Sequence, residues 1–101
     1  MWVLKAEGLT DKPDGKTFRL SDGSVKTVGR ATRADFIVDA PLVSRVHCRL
    51  TAEKSGQLIV EDLESTNGTQ VNGKRVKRAT AKAGDEIAVG KVTIRVERHA
   101  K

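Results

Sequence analysis

The chain has 101 residues, 19 lysines and arginines against 13 acids, and a formal net charge of +6; this length suits a single domain over residues 1–101 with one core. One cysteine excludes an internal disulfide and fits a reducing compartment, while 3% aromatic content with no tyrosine argues against a single-strand nucleic-acid binder, which stacks bases on aromatic platforms. No apolar run approaches the roughly 20 residues of a membrane span, and the opening Met1-Trp2-Val3-Leu4-Lys5-Ala6-Glu7 lacks the basic leader and long apolar stretch of a signal peptide, so an intracellular protein off the membrane is expected.

Met1 to Ala6 reads as an opening strand, and Asp11-Lys12-Pro13-Asp14-Gly15 as a turn. Thr17-Phe18-Arg19-Leu20 alternates polar with apolar, as a half-buried strand does. After the turn Ser21-Asp22-Gly23-Ser24 the chain returns as a strand over Val25-Lys26-Thr27-Val28-Gly29. A polar loop over residues 31–35 leads to a short apolar strand, Phe36-Ile37-Val38, stopped by Asp39-Ala40-Pro41. Val46, Cys48 and Leu50 then alternate with Arg45, His47 and Arg49, which predicts one face in the core and one outside it. Ser55-Gly56 is a turn and residues 57–61 a strand.

Next comes the run around which the rest is arranged, Asp62-Leu63-Glu64-Ser65-Thr66-Asn67-Gly68-Thr69-Gln70-Val71-Asn72-Gly73. Asn-Gly between extended runs is the strongest short signal of a tight turn, since both residues tolerate positive φ. The run therefore predicts a loop on top of a sheet, with the side chains of Thr66 and Asn67 free at its apex, followed by a hairpin at Asn72-Gly73 completed by Lys74-Arg75-Val76. Residues 79–84 read as irregular, Gly84-Asp85 as a turn, and residues 86–96 as a closing hairpin about Gly90-Lys91; His99-Ala100-Lys101 reads as a frayed tail. No stretch carries a helical apolar stripe. Ten or eleven short strands punctuated by Gly, Pro, Asn and Asp indicate an all-β sandwich of two antiparallel or mixed sheets.

Loops gather at the ends of a sandwich, and three of them share a chemistry. Gly29-Arg30 offers a guanidinium, Ser44-Arg45 a hydroxyl and a second cation, and Thr66-Asn67 a hydroxyl and an amide. Together they are donors with no carboxylate in their immediate steps. A phosphate dianion needs such a set, charge neutralisation with directed donors, and the planar fork of arginine suits it better than lysine.

Gly29-Arg30, Ser44-Arg45-Val46-His47 and Ser65-Thr66-Asn67-Gly68-Thr69, supported by Val71-Asn72-Gly73 and Gly84-Asp85-Glu86-Ile87, agree in order and spacing with a known family. The chain resembles the forkhead-associated (FHA) domain, a phosphothreonine-binding β-sandwich, over nearly its whole length. That resemblance implies that Arg30 holds the phosphate by charge, Ser44 bonds a phosphate oxygen, Arg45 adds a cation, and Thr66 lies beside the phosphate through its N–H or hydroxyl. It implies that Asn67 bonds the peptide backbone and that His47 is structural, tying the Ser44 loop to a neighbour. Gly29, Gly68 and Gly73 serve backbone geometry. Choice at neighbouring peptide positions, above all the third after the phosphothreonine, falls to Leu42, Val43 and Gly90. The implied partner is a phosphothreonine-containing protein downstream of a Ser/Thr kinase, met by a monomer without cofactor. Met1-Trp2 is similar to FHA modules that open nuclear DNA-repair adaptors, and the compact loops are similar to bacterial, cytoplasmic signalling forms; the compartment stays open between them.

Other readings have less behind them. Ser44 and His47 are three apart, which on an extended strand turns them to opposite faces, and no third group is indicated to orient the histidine for catalysis. Gly15-Lys16-Thr17 resembles the end of a P-loop, but Thr10 stands where its first glycine is needed. Two histidines and one cysteine, scattered apart from His47-Cys48, do not make a metal site. Asn67-Gly68-Thr69 fits the glycosylation pattern, yet nothing suggests secretion. The alternative from another class is a nucleic-acid-binding β-domain using the cluster Lys74-Arg75-Val76-Lys77-Arg78; the plainer reading of that cluster is a solvated hairpin edge that discourages strand pairing. A scaffold using the opposite end of the sandwich is the third.

Overall fold

In the computed structural model, which describes residues 1–9 and 14–99, eleven strands form two sheets. They are β1 (Trp2–Glu7), β2 (Lys16–Leu20), β3 (Val25–Gly29), β4 (Phe36–Ile37), β5 (Cys48–Ala52), β6 (Leu58–Asp62), β7 (Thr69–Val71), β8 (Lys74–Val76), β9 (Arg78–Ala81), β10 (Glu86–Val89) and β11 (Val92–Arg98). The first sheet runs β2-β1-β11-β10-β7-β8 and the second β4-β3-β5-β6-β9. Pairing is antiparallel except between β3 and β4, which are parallel. Among the described residues no helix is long and apolar enough to cross a membrane.

The period-two pattern decides what lies inside. Cys48, Leu50 and Ala52 of β5, Leu58 and Val60 of β6, and Val92, Ile94 and Val96 of β11 all turn into the core, as do Leu4, Ile87 and Val89. Each fully buried aliphatic side chain stabilises the fold by roughly 1.5–3 kcal/mol. Phe18 of β2 stacks on Phe36 of β4 with ring centroids 4.7 Å apart, so the two edge strands close one flank of the sandwich. Burial pushes the Cys48 thiol up to about 12, with help from nearby Asp62, which leaves it an inert core residue.

Several local expectations are corrected. Residues 79–81, expected to be irregular with 82–84, lie in β9: Ala79 and Ala81 have modest strand propensity, but β9 pairs along β6 and its ladder hydrogen bonds override that preference. The alternation of residues 45–50 begins only at Cys48, and His47 is buried beside it rather than facing outward. The tail is held at His99, whose N–H donates to the Met1 carbonyl at 2.9 Å; residues 100 and 101, like most of the turn expected at 11–15, lie outside the described residues. The hairpin at Asn72-Gly73 has positive φ at both residues, 52° and 83°, as the dipeptide predicts.

Strand registers place the connectors. Val28 of β3 faces Cys48 of β5, Cys48 faces Asp62 of β6, and Thr69 of β7 faces Val89 of β10. The end of β3, the start of β5, the exit from β6 and the β10–β11 turn thus share one pole. Trp2, Leu20 and Arg98, in register on β1, β2 and β11, mark the other.

Candidate functional site

Gly29 allows the first two connectors to touch. A Cβ on it would overlap the carbonyl of Arg45 and lie 2.8 Å from the Val46 Cα. With hydrogen there, the backbones close up: Arg30 N–H donates to Ser44 O at 3.0 Å and Ala31 N–H to Arg45 O at 3.1 Å. The Arg30 side chain is then fixed near its end, because its Nε–H donates to the Val43 carbonyl at 3.1 Å. Its two terminal NH2 groups have no partner among the described residues, and neither does the guanidinium of exposed Arg45.

His47 joins the second connector to the third. Residues 44–47 bend instead of running extended, so the ring folds back and its Nδ1 accepts the Ser44 N–H at 3.0 Å. This corrects the opposite-faces expectation for Ser44 and His47. Since Nδ1 accepts, Nε2 carries the proton, and it meets the Gly68 carbonyl at 2.7 Å. The ring is fully buried. With both nitrogens engaged, neither remains to activate the Ser44 hydroxyl.

The third connector is shaped by Asp62, a residue that sequence reasoning placed only at the start of a run. Its Oδ1 accepts the hydroxyls of Ser65 and Thr69 and its Oδ2 accepts the Ser65 N–H. Burial pushes this carboxyl up, but those three hydrogen bonds outweigh it and hold it below the ordinary carboxylate range. Asp followed three residues later by Ser is the local signal, an Asx-type turn. Glu64, at φ 55°, and Gly68, at φ 85°, take the left-handed positions of the loop. Arg75 of β8 packs over Gly68, where a Cβ would come within 2.6 Å of its Nε.

The connectors meet in one open cleft of about 660 Å³, lined by Arg30, Ser44, Arg45, Thr66 and Asn67, with Leu42 and Glu64 among the others. Ser44 Oγ accepts the Thr66 N–H at 3.1 Å, so the hydroxyl proton of Ser44 points to another acceptor. The Thr66 N–H is spent on that bond, and the exposed Thr66 hydroxyl has no partner among the described residues. The Asn67 side chain is not free as expected: its Nδ2 donates to the Leu42 carbonyl at 3.0 Å, because the Leu42 loop folds toward it at φ 72°. Gly90 is absent from the cleft wall and lies under Leu42, where a Cβ would meet the Leu42 carbonyl at 3.0 Å. The Val43 side chain belongs to the core, while its carbonyl accepts the Arg30 Nε–H at the cleft. Gly73 sits in the hairpin turn with open space around it. One carboxylate, that of Glu64, shares the cleft with the donors, two residues before Thr66 and so outside the immediate steps of the three loops. Lys74 and Arg75 lie on β8 at the sheet edge, and Arg78 pairs with Glu61.

Residues 26–90 match the FHA domain family. The chain is 37% identical over 90 residues to the FHA domain-containing protein FhaA of Mycobacterium tuberculosis, covering 88% of this chain and 16% of that protein. It spans 9% to 50% of the length of curated relatives such as this one. Among solved structures, the FHA domain of the CT664 protein of Chlamydia trachomatis superposes with a TM-score of 0.90 at 26% identity, covering 98% of each chain. A structure from work on phosphothreonine-dependent FHA domain interactions gives 0.85 at 31% identity, covering 99% of this chain and 98% of that one.

Proposed function

The chain belongs to the FHA domain family, and from that premise we propose that it is a non-catalytic adaptor that docks a phosphothreonine segment of a partner protein. The observation that carries this is the convergence of unspent donors on one cleft: the outer amines of Arg30, the proton of Ser44, the hydroxyl of Thr66 and the guanidinium of Arg45. Their loops are already tied together by His47 and the Ser44–Thr66 bond, so little ordering is needed when a dianion arrives. Asn67 holds the Leu42 loop in the free protein and meets the peptide backbone in the complex. Leu42, half exposed at the cleft edge, contacts the residues that follow the phosphothreonine. The setting is intracellular, a Ser/Thr kinase acts upstream, and the domain works as a monomer.

Four charge-assisted hydrogen bonds at roughly 1.5–3 kcal/mol each give about 6–12 kcal/mol gross. Ordering the peptide takes several kcal/mol back. A low- to mid-micromolar complex, about −7 to −8 kcal/mol, is the expected result. Calorimetric titration with a phosphothreonine peptide and its unphosphorylated twin tests the proposal. Binding of the phosphorylated form alone is predicted, and equal affinity for the two would discard it.

A further inference from the structure

Glu64 is out of keeping with a cleft that takes a dianion. Among the described residues it is the sole acid lining the cleft, and it shares the wall with Arg30 and Arg45. Its side chain is exposed, and among the described residues its carboxylate makes no hydrogen bond and no ion pair. Asp62, two residues away, is by contrast consumed by the loop. Glu64 also stands at φ 55°, where glycine fits without strain and a glutamate does not. Loop geometry alone therefore favours glycine here, and phosphate affinity alone favours any residue without negative charge. The carboxylate opposes both and is left unneutralised beside the place where the ligand lies.

We propose that Glu64 selects a lysine or arginine in the bound segment, close in sequence to the phosphothreonine. This rests on the phosphothreonine-docking reading and adds a second element to it. The cationic wall takes the phosphate, and the single anion takes a cation from the same peptide. A segment with acidic neighbours would bring negative charge against Glu64 and be rejected. The cleft is open to solvent, so the preference should be modest and should fade with salt.

The test is a set of phosphothreonine peptides in which lysine or glutamate replaces alanine at each of the three positions on either side. Wild type is compared with Glu64→Gln and, as a second variant that suits the left-handed turn, Glu64→Gly. At low salt the wild type should favour lysine over glutamate about fivefold to tenfold at one or two positions. Both variants should reduce that ratio to about twofold or less. If both variants instead tighten all phosphopeptides equally with the ratio unchanged, Glu64 merely repels the phosphate and the inference is overturned. An unchanged ratio at unchanged affinity overturns it too. If no peptide in the set binds in a phosphate-dependent way, the docking reading itself fails, and this inference with it.

Discussion

His47→Ala is expected to destabilise the fold by about 3–5 kcal/mol, although His47 lines no part of the cleft. The ring accepts the Ser44 N–H and donates to the Gly68 carbonyl, and it is fully buried. Truncation leaves the buried Gly68 carbonyl and the part-buried Ser44 N–H without partners, each costing up to roughly 1–3 kcal/mol. It also leaves the space of an imidazole, and cavities of that kind add to the loss. Against a total stability on the order of 5–15 kcal/mol this is a large fraction. Urea denaturation should show a much lower midpoint with an unchanged slope. A midpoint shift worth less than about 1 kcal/mol would mean that the loops are held together by something other than this ring.

Arg30→Ala should do the opposite, leaving the fold in place and removing binding. Among the described residues its side chain makes one hydrogen bond, to the Val43 carbonyl, at a partly exposed position. Stability should therefore fall by only about 0.5–1.5 kcal/mol. Phosphopeptide affinity should fall by about 150-fold, the equivalent of two charge-assisted hydrogen bonds at roughly 1.5 kcal/mol each. Arg30→Lys should recover only part of this, because an ammonium keeps the charge but neither the Nε–H that fixes the side chain nor the two-pronged fork. Affinity within about threefold of wild type for Arg30→Ala would remove Arg30 from the site.

The sequence was most legible where a residue type has one physical use. Asn72-Gly73 demands a tight hairpin turn, and the structure has both residues at positive φ. Alternating apolar residues in β5 and β11 announce which face is buried, and those faces form the core. Arg30, Ser44, Arg45, Thr66 and Asn67 could be grouped because loops collect at the ends of a sandwich, and all five line the cleft. Legibility failed where tertiary contacts decide. Nothing local in Ala79-Thr80-Ala81 shows that β6 will pair with it. The reason for Gly29 is the Arg45–Val46 backbone lying against it, fifteen or more residues along the chain. The bend at residues 45–46 brings the His47 ring back to Ser44, which a strand pattern cannot show. Asp62 and Glu64 look alike in sequence, two acids flanking Leu63. Only the fold separates them, one taken up by the hydrogen bonds of its own loop and the other left facing the cleft.

Amide and guanidinium chemical-shift mapping during titration with a phosphothreonine peptide tests most directly whether the three connectors form one phosphate-binding cleft. The phosphorylated peptide should move the signals of Arg30 Nε–H and of the amides of Ser44, Arg45, Thr66 and Asn67, and its unphosphorylated twin should move none of them. Equal shifts with both peptides, or shifts gathered around Trp2 and Arg98 at the far pole, would contradict it.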